Sequence, residues 1–362
     1  MTGAAIFSAD ERDSFTRSVD RFVEERYDFD RQREIAASAD GFGHAEWRNM
    51  ADLGWMALPL PENAGGLGGG VQETAIVMAG IGRGLLLEPY LATVILAGGL
   101  IAACATGPAR SDLLSAIAAG EAFWAFADTD GEDPVLASSE GDGWRIGGTK
   151  TLVLHGHNAD HLIVSASTGD GTGLFMVDAT APRVIRRRFE MVDGRGVAEI
   201  GFDAAPAIRL GDGDAGTAIA AVHDRAAVAS CAEAVGAMAA LNAMTLEYAR
   251  TRQQFGVAIG SFQALQHKLV DMAVAETEAR SVATAAAEAL DAGHPLASMV
   301  VSAAKIRINR AGRFVGESAI QLHGGIGMTN ELPAGHYFKR LLAIGSLFGD
   351  CDMHLDRLAS AA

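Results

Sequence analysis

RTRQQFGVAIGSFQALQ, residues Arg250–Gln266, and QLHGGIGM, residues Gln321–Met328, are the stretches from which the rest of the chain is read. The first begins at the end of a long alanine-rich helix and runs through a short loop into another helix. It carries Arg252, Gln253, Gln254, Phe255 and Gln263, polar and aromatic groups on a connection where a plain helical bundle needs none. The second ends a helix in Gly324-Gly325, where backbone N–H groups lie open to close approach. Together they read as one site for a large anionic cofactor. Such a ligand needs cationic and N–H donors and an apolar slot.

Working outward, helical spacing dominates from about Asp214 to the end. It predicts helices over Ala215–Arg250, over Ser261–Ala292 with Ser261 as N-cap and Gly293 past its end, over Leu296–Leu322, and a broken fourth over Tyr337–Ala361. Four long helices in succession imply a bundle. Upstream the texture changes. Phe123–Ala127, Gly143–Ile146, Leu162–Ala166, Leu174–Asp178, Val184–Arg188 and Glu199–Phe202 are short β-rich runs separated by Gly/Asp turns. They predict an antiparallel barrel or sandwich. Earlier still, Ser8-Ala-Asp-Glu11 reads as a capping box. Helices are expected over Ala45–Met56, Thr74–Leu87 and Thr93–Ala105, with Asn63–Gly70 as a flexible loop. The fold class is therefore α+β: an all-α domain over residues 1–119, a β-barrel over 120–210 and a helical bundle over 211–362.

Bulk properties exclude several functions. Of the 362 residues, 49% are hydrophobic, enough for a sizeable core. A net charge of -16 argues against nucleic acid, which requires clustered Lys and Arg. Cys104, Cys231 and Cys351 are far apart and have no metal-ligand spacing, so no metal is expected. The polar, acidic N-terminus does not read as a signal peptide. Apolar runs such as Leu91–Ala105 are too short and too rich in small residues to span a membrane. A cytoplasmic protein is expected.

The order helices, β unit, bundle, joined to RQQFG…SFQALQ and QLHGGIGMTNE, resembles the acyl-CoA dehydrogenase family over nearly the whole chain. The resemblance implies FAD-dependent α,β-desaturation of an acyl-CoA thioester, with electrons leaving to an electron-transfer flavoprotein. It assigns Arg252, Gln254, Phe255, Gln263, Gln321, His323, Gly324 and Gly325 to the ADP half of FAD, reaching the cofactor of a neighbouring subunit. An oligomer follows.

The departures matter as much. Where many members carry their catalytic glutamate, this chain reads Phe348-Gly349-Asp350, so the base position is Gly349. The family's second location for the base, near the start of the long bundle helix, falls at Ala226. Neither residue can accept a proton. Asp350 and Asp224 are the nearby carboxylates, and Asp350 is the candidate for a relocated base. Against that, Asp350 reads as the N-cap of a helix over Met353–Ala359, and Asp224 as a solvated carboxylate. Aromatic and hydroxyl groups that members place against the flavin ring correspond here to Leu152 and Leu154. Arg186–Arg188 reads as a solvated edge strand blunted by charge.

The run KTLVLHGHNADHLIVSA (Lys150–Ala166) and the altered Phe348–Asp350 segment are similar to the small subunits of heteromeric bacterial members of the pimeloyl-CoA dehydrogenase type. The resemblance implies a base-lacking subunit beside a sister chain, in an α2β2 or related assembly. Two alternatives stand: a stand-alone enzyme with Asp350 as base, and a flavin-free structural paralogue.

Overall fold

The capping box at Ser8 is formed. Glu11 donates its backbone N–H to Ser8 Oγ at 3.3 Å, and Ser8 N–H returns to the Glu11 carboxylate at 2.7 Å. This opens α1 in a computed structural model that describes residues 7–141 and 143–361. The helices before the sheet are α1 (Ala9–Arg26), α2 (Phe29–Ala36), α3 (His44–Asp52), α4 (Val71–Gly84), α5 (Gly98–Cys104) and α6 (Gly107–Ala118). Those after it are α7 (Gly216–Thr251), α8 (Gln263–Asp291), α9 (Ala297–His323), α10 (Pro333–Ser346) and α11 (Cys351–Ala361).

The chain forms two compact units. The first takes the described residues up to Glu34, Gly70–Leu86 and the chain from Ala227 onward; the second takes Ile35–Gly69 and Leu87–Ala226. α4 groups with the bundle and not with its sequence neighbours. Two glycines permit this. A Cβ on Gly82 would stand 1.9 Å from the Glu233 carbonyl oxygen, and one on Gly236 would stand 1.9 Å from that of Ala79. The backbones of α4 and α7 therefore approach more closely than any side chain allows.

In the first unit, α4 and α7–α10 bury an alanine-rich core that includes Ala279, Ala286, Ala304, Ala319, Met238 and Val315. Arg340 and Glu233, both fully buried, pair at 2.8 Å, and Arg340 also donates to the Leu86 carbonyl at 3.2 Å. Fixed hydrogen bonds of this kind offset the desolvation of a buried charge. The expected N-cap of α8 is corrected. Ser261 donates its hydroxyl back to the Ala258 carbonyl at 2.7 Å, and Phe262 occupies the cap position. The broken fourth helix is α10 and α11, parted at Leu347–Asp350. Among the described residues α7, not Leu91–Ala105, is long and apolar enough to cross a membrane. The apolar window of α7 is 72% buried, as in a core helix.

In the second unit, Leu91–Ala97 is a π-helical stretch continuing into α5. The Thr93 hydroxyl donates to the Trp124 carbonyl at 2.9 Å and accepts the Trp124 N–H at 3.2 Å, pinning this stretch to the first strand. The strands are β1 (Trp124–Ala127), β2 (Leu136–Glu140), β3 (Gly143–Leu154), β4 (His161–Thr168), β5 (Gly171–Asp178), β6 (Val184–Glu190) and β7 (Gly196–Arg209). Their order is β1-β4-β2-β3-β7-β5. β5 pairs β4 as well, closing a barrel, and β6 lies on β7. The barrel is not wholly antiparallel, since β1 and β2 both run parallel to β4. The Asn63–Gly70 loop is tied rather than loose. Leu67 N–H donates to Ala57 O at 2.8 Å, and Gly69 N–H to Leu58 O at 2.7 Å.

Candidate functional site

The last turn of α7 positions the first motif. Arg252 N–H donates to the Tyr248 carbonyl and Ile259 N–H to the Arg252 carbonyl, each at 2.8 Å. Between them stands a two-rung hairpin, β8 (Gln253–Gln254) against β9 (Val257–Ala258). Its tip needs two positive φ angles. Gly256 supplies one at 81°, and Phe255 is held in the other at 55° with its ring 92% exposed. Arg252 and Gln254 are exposed on the hairpin, and Arg252 makes no ion pair among the described residues. Gln263 is the first residue of α8 and also exposed.

The second motif closes α9. Gly324 turns the chain with φ 65°, and a Cβ on Gly324 or Gly325 would meet nothing within 4 Å. Gln321 is exposed beside them. The two motifs meet through Tyr248 and His323. Their rings lie 4.5 Å apart at 31°, and the Tyr248 hydroxyl donates to the His323 carbonyl at 3.4 Å. His323 is buried. Its Nδ1–H donates to Ala319 O at 2.8 Å, which leaves Nε2 a buried acceptor without a partner among the described residues. Burial pushes the His323 pKa below its ordinary value, keeping the ring neutral.

These features fit the ADP half of FAD. Arg252 and the glutamine amides supply donors for a pyrophosphate, the Gly-Gly turn leaves open backbone, and Phe255 offers an apolar face.

The region expected to face a flavin ring is built differently. Lys150 is buried at the start of a bulge in β3. Its Nζ donates to Asp128 O at 2.7 Å, Asp130 Oδ1 at 2.6 Å and Ser165 Oγ at 3.0 Å, which fixes the Asp128–Asp130 turn after β1. The β3–β7 register slips between Lys150 and Val153. Leu152 is held there at φ 53° and is 64% exposed, while Leu154 is buried. Neither side chain can donate a hydrogen bond. The sequence reading missed His223, whose Nε2 lies 3.3 Å from Asp128 Oδ2. It sits three residues before Ala226, on the same helix face; its only signal was a lone histidine in the first turns of α7.

At the two positions where the sequence resemblance expects a base, Ala226 is fully buried and Gly349 has φ 103°. A Cβ on Gly349 would stand 1.9 Å from Met353 Cε and 2.8 Å from His354 Nε2. His354 is itself fixed, with Nε2–H donating to Phe348 O at 3.0 Å and Nδ1 lying 3.1 Å from Ser302 Oγ. Asp350 is exposed, and its Oδ1 accepts the Met353 N–H at 2.9 Å, capping α11. Asp224 is buried rather than solvated. Arg186 on β6 donates to the carbonyls of His157 and Ala159 at 3.1 and 3.0 Å, so its charge is used within the unit rather than solvated.

Residues 9–121 match the N-terminal domain of acyl-CoA dehydrogenases and residues 217–362 the C-terminal domain. The chain is 31% identical over 333 residues to the acyl-CoA dehydrogenase FadE27 of Mycobacterium tuberculosis, covering 88% of each chain. Its fold is similar to that of a steroid ACAD, the Tcur3481-Tcur3483 G363A variant, with TM-score 0.89 and 30% identity over 97% of each chain. It is also similar to the ChsE4-ChsE5 complex of Mycobacterium tuberculosis, with TM-score 0.91 and 28% identity over 99% of this chain and 98% of that one. The chain belongs to the acyl-CoA dehydrogenase family of FAD-dependent oxidoreductases.

Proposed function

We propose that this chain is the base-lacking subunit of a heteromeric acyl-CoA dehydrogenase. Gly349 carries the proposal: its backbone is left-handed, and the space a side chain would enter is filled by Met353. Asp350 does not replace the glutamate, because its carboxylate is engaged as a helix cap. When bound, FAD accepts the hydride that leaves the acyl β-carbon. This chain's part is to hold the cofactor. Arg252, Gln254, Phe255, Gln263, Gln321 and the Gly324-Gly325 turn would hold its ADP half, with Arg252 and the amides as donors to its pyrophosphate and Phe255 as an apolar face for its adenosine. His323 braces that wall through Tyr248. The sister subunit supplies the carboxylate that removes the α-proton and the donors around the ring. Electrons leave to an electron-transfer flavoprotein.

Two observations support the reading. The side-chain donors expected at the ring are absent at Leu152 and Leu154, while the ADP-side set is intact. Two of the similar structures are two-component assemblies by their names, and one of those is a steroid enzyme. We extend that class to the substrate here, a bulky acyl-CoA of steroid type.

The test is co-expression with a candidate sister dehydrogenase. The expected product is a mixed oligomer with one FAD for every two chains and turnover that neither chain has alone. A yellow homo-oligomer of this chain that oxidises acyl-CoA unaided would overturn the proposal.

A further inference from the structure

The loop His155–Asp160 joins β3 to β4 and grips a second loop, Ala39–Gly43, that joins α2 to α3. Three side chains hold this strap by its carbonyls. Asn158 Nδ2 donates to Asp40 O at 2.6 Å, His157 Nε2 reaches the same oxygen at 3.4 Å, and the Arg188 guanidinium donates to Ala39 O. Within the strap, Gly41 N–H donates to Ser38 Oγ and Gly43 N–H to Glu88 Oε1, each at 3.1 Å. Held in this way, the strap seats the buried Phe42, whose ring lies 5.0 Å from that of Phe123 and 6.4 Å from that of His155.

His157 is wedged into this grip. A Cβ on Gly196 would stand 2.0 Å from its Cε1, so the ring rests on the bare backbone of β7. With Nε2–H turned to Asp40 O, Nδ1 is a buried acceptor with no hydrogen-bond partner among the described residues. A second proton on the ring would have to sit on Nδ1, where no acceptor receives it. It would also add charge beside two guanidinium groups on β6. Arg186 donates to the His157 carbonyl at 3.1 Å, and Arg188 holds the strap itself. The other neighbours weaken this repulsion without removing it. Asp40 favours the proton, but its Oδ2 is engaged by His44 of α3 at 2.7 Å. Glu190 lies 3.3 Å from Arg188, Arg195 beside Gly196 is paired with Asp193 at 2.6 Å, and His155 is stacked 6.2 Å away. Burial first, and then Arg188, hold the His157 pKa below its ordinary value, with Asp40 opposing and Arg186 adding to the effect.

We propose that the Ala39–Gly43 strap is a pH-sensitive latch: neutral His157 keeps it shut, and protonation of the ring releases it together with Phe42. The latch is closed above about pH 6.5 and opens as the pH falls below that value. Because His155 directly follows Leu154, opening also loosens the end of β3. The latch lies within one chain and does not depend on which subunit brings the base.

The test is amide hydrogen exchange of the full-length chain between about pH 5 and about pH 8, corrected for intrinsic exchange rates. Protection of Gly41, Gly43 and Asn158 is expected to fall about tenfold per pH unit once His157 titrates, while the amides of α8 keep theirs. His157→Gln takes no proton and is expected to abolish that slope, whatever level of protection remains. His44→Gln is expected to leave it in place. Circular dichroism checks the fold of each variant, and the parent and His44→Gln decide the question even if His157→Gln does not fold. Flat protection in the parent overturns the proposal. So does a slope that survives in His157→Gln or vanishes in His44→Gln, and so does a loss shared equally by α8, which would be unfolding of the whole chain.

Discussion

Met353 fills the place of a side chain on Gly349: its Cε lies 1.9 Å from where a Cβ would stand. Restoring the family's glutamate is therefore more than one substitution away. Gly349→Glu is expected to destabilise the chain by about 1–3 kcal/mol through its left-handed φ and displacement of Met353, and to give no turnover in the isolated chain. Adding Met353→Ala relieves the clash but not the dihedral. Thermal denaturation and acyl-CoA oxidation assays check both. Restored turnover in Gly349→Glu alone would falsify the claim that this turn cannot present a base.

Phe255 separates binding from stability. Its ring is almost wholly in water. Phe255→Ala should leave the stability of the isolated chain within about 0.5 kcal/mol of the parent, as exposed substitutions do. In the assembled enzyme it should speed FAD loss on dilution, read by flavin fluorescence. A large drop in melting temperature would mean that the ring packs within its own chain.

The buried pair Arg340–Glu233 predicts the opposite pattern. Arg340→Met leaves Glu233 buried opposite an apolar group and should cost about 3–5 kcal/mol. Combining it with Glu233→Leu should recover much of that loss. Urea denaturation of the single and double variants measures the coupling.

Acid should weaken the packing around His323. Burial holds the pKa of His323 below its ordinary value, so the unfolded chain binds a proton that the folded chain refuses. The stability is complete above about pH 6.5 and declines as the pH falls below it. His157 and His336, also lowered by burial, act in the same direction. His323→Gln should flatten the slope of melting temperature against pH through that window. An unchanged slope would remove His323 from the account.

The helices carrying the two motifs were legible because their apolar spacing runs for many turns. α7 was expected over Ala215–Arg250 and is found over Gly216–Thr251. α2 and α6 were not read as helices; α6 starts at Gly107-Pro108, a pair that reads as a loop in sequence but serves as a helix start. The joining of α4 to the bundle was invisible, because nothing local in Gly82 or Gly236 says that another backbone will press against it. In the site, residue types could be read and their surroundings could not. The motifs marked His323 and Gly324, but the partnerless Nε2 and the Tyr248 stack come from two helix ends brought together. Likewise a glycine at position 349 could be read from the sequence, while the Met353 methyl beside it and the pairing of His223 with Asp128 depend on tertiary structure.

The bare ring of Phe255 also makes the hairpin a reporter. Chymotrypsin cuts after accessible aromatic residues at exposed loop tips, and a two-rung hairpin with an exposed phenylalanine at its tip offers such a site. In the proposed assembly, unassembled copies would be open to a nick at Phe255-Gly256, between the arginine motif and α8, that assembled copies would escape. In that reading, survival of this chain would depend on the supply of whatever covers the tip. Copies made in excess keep the vulnerable bond.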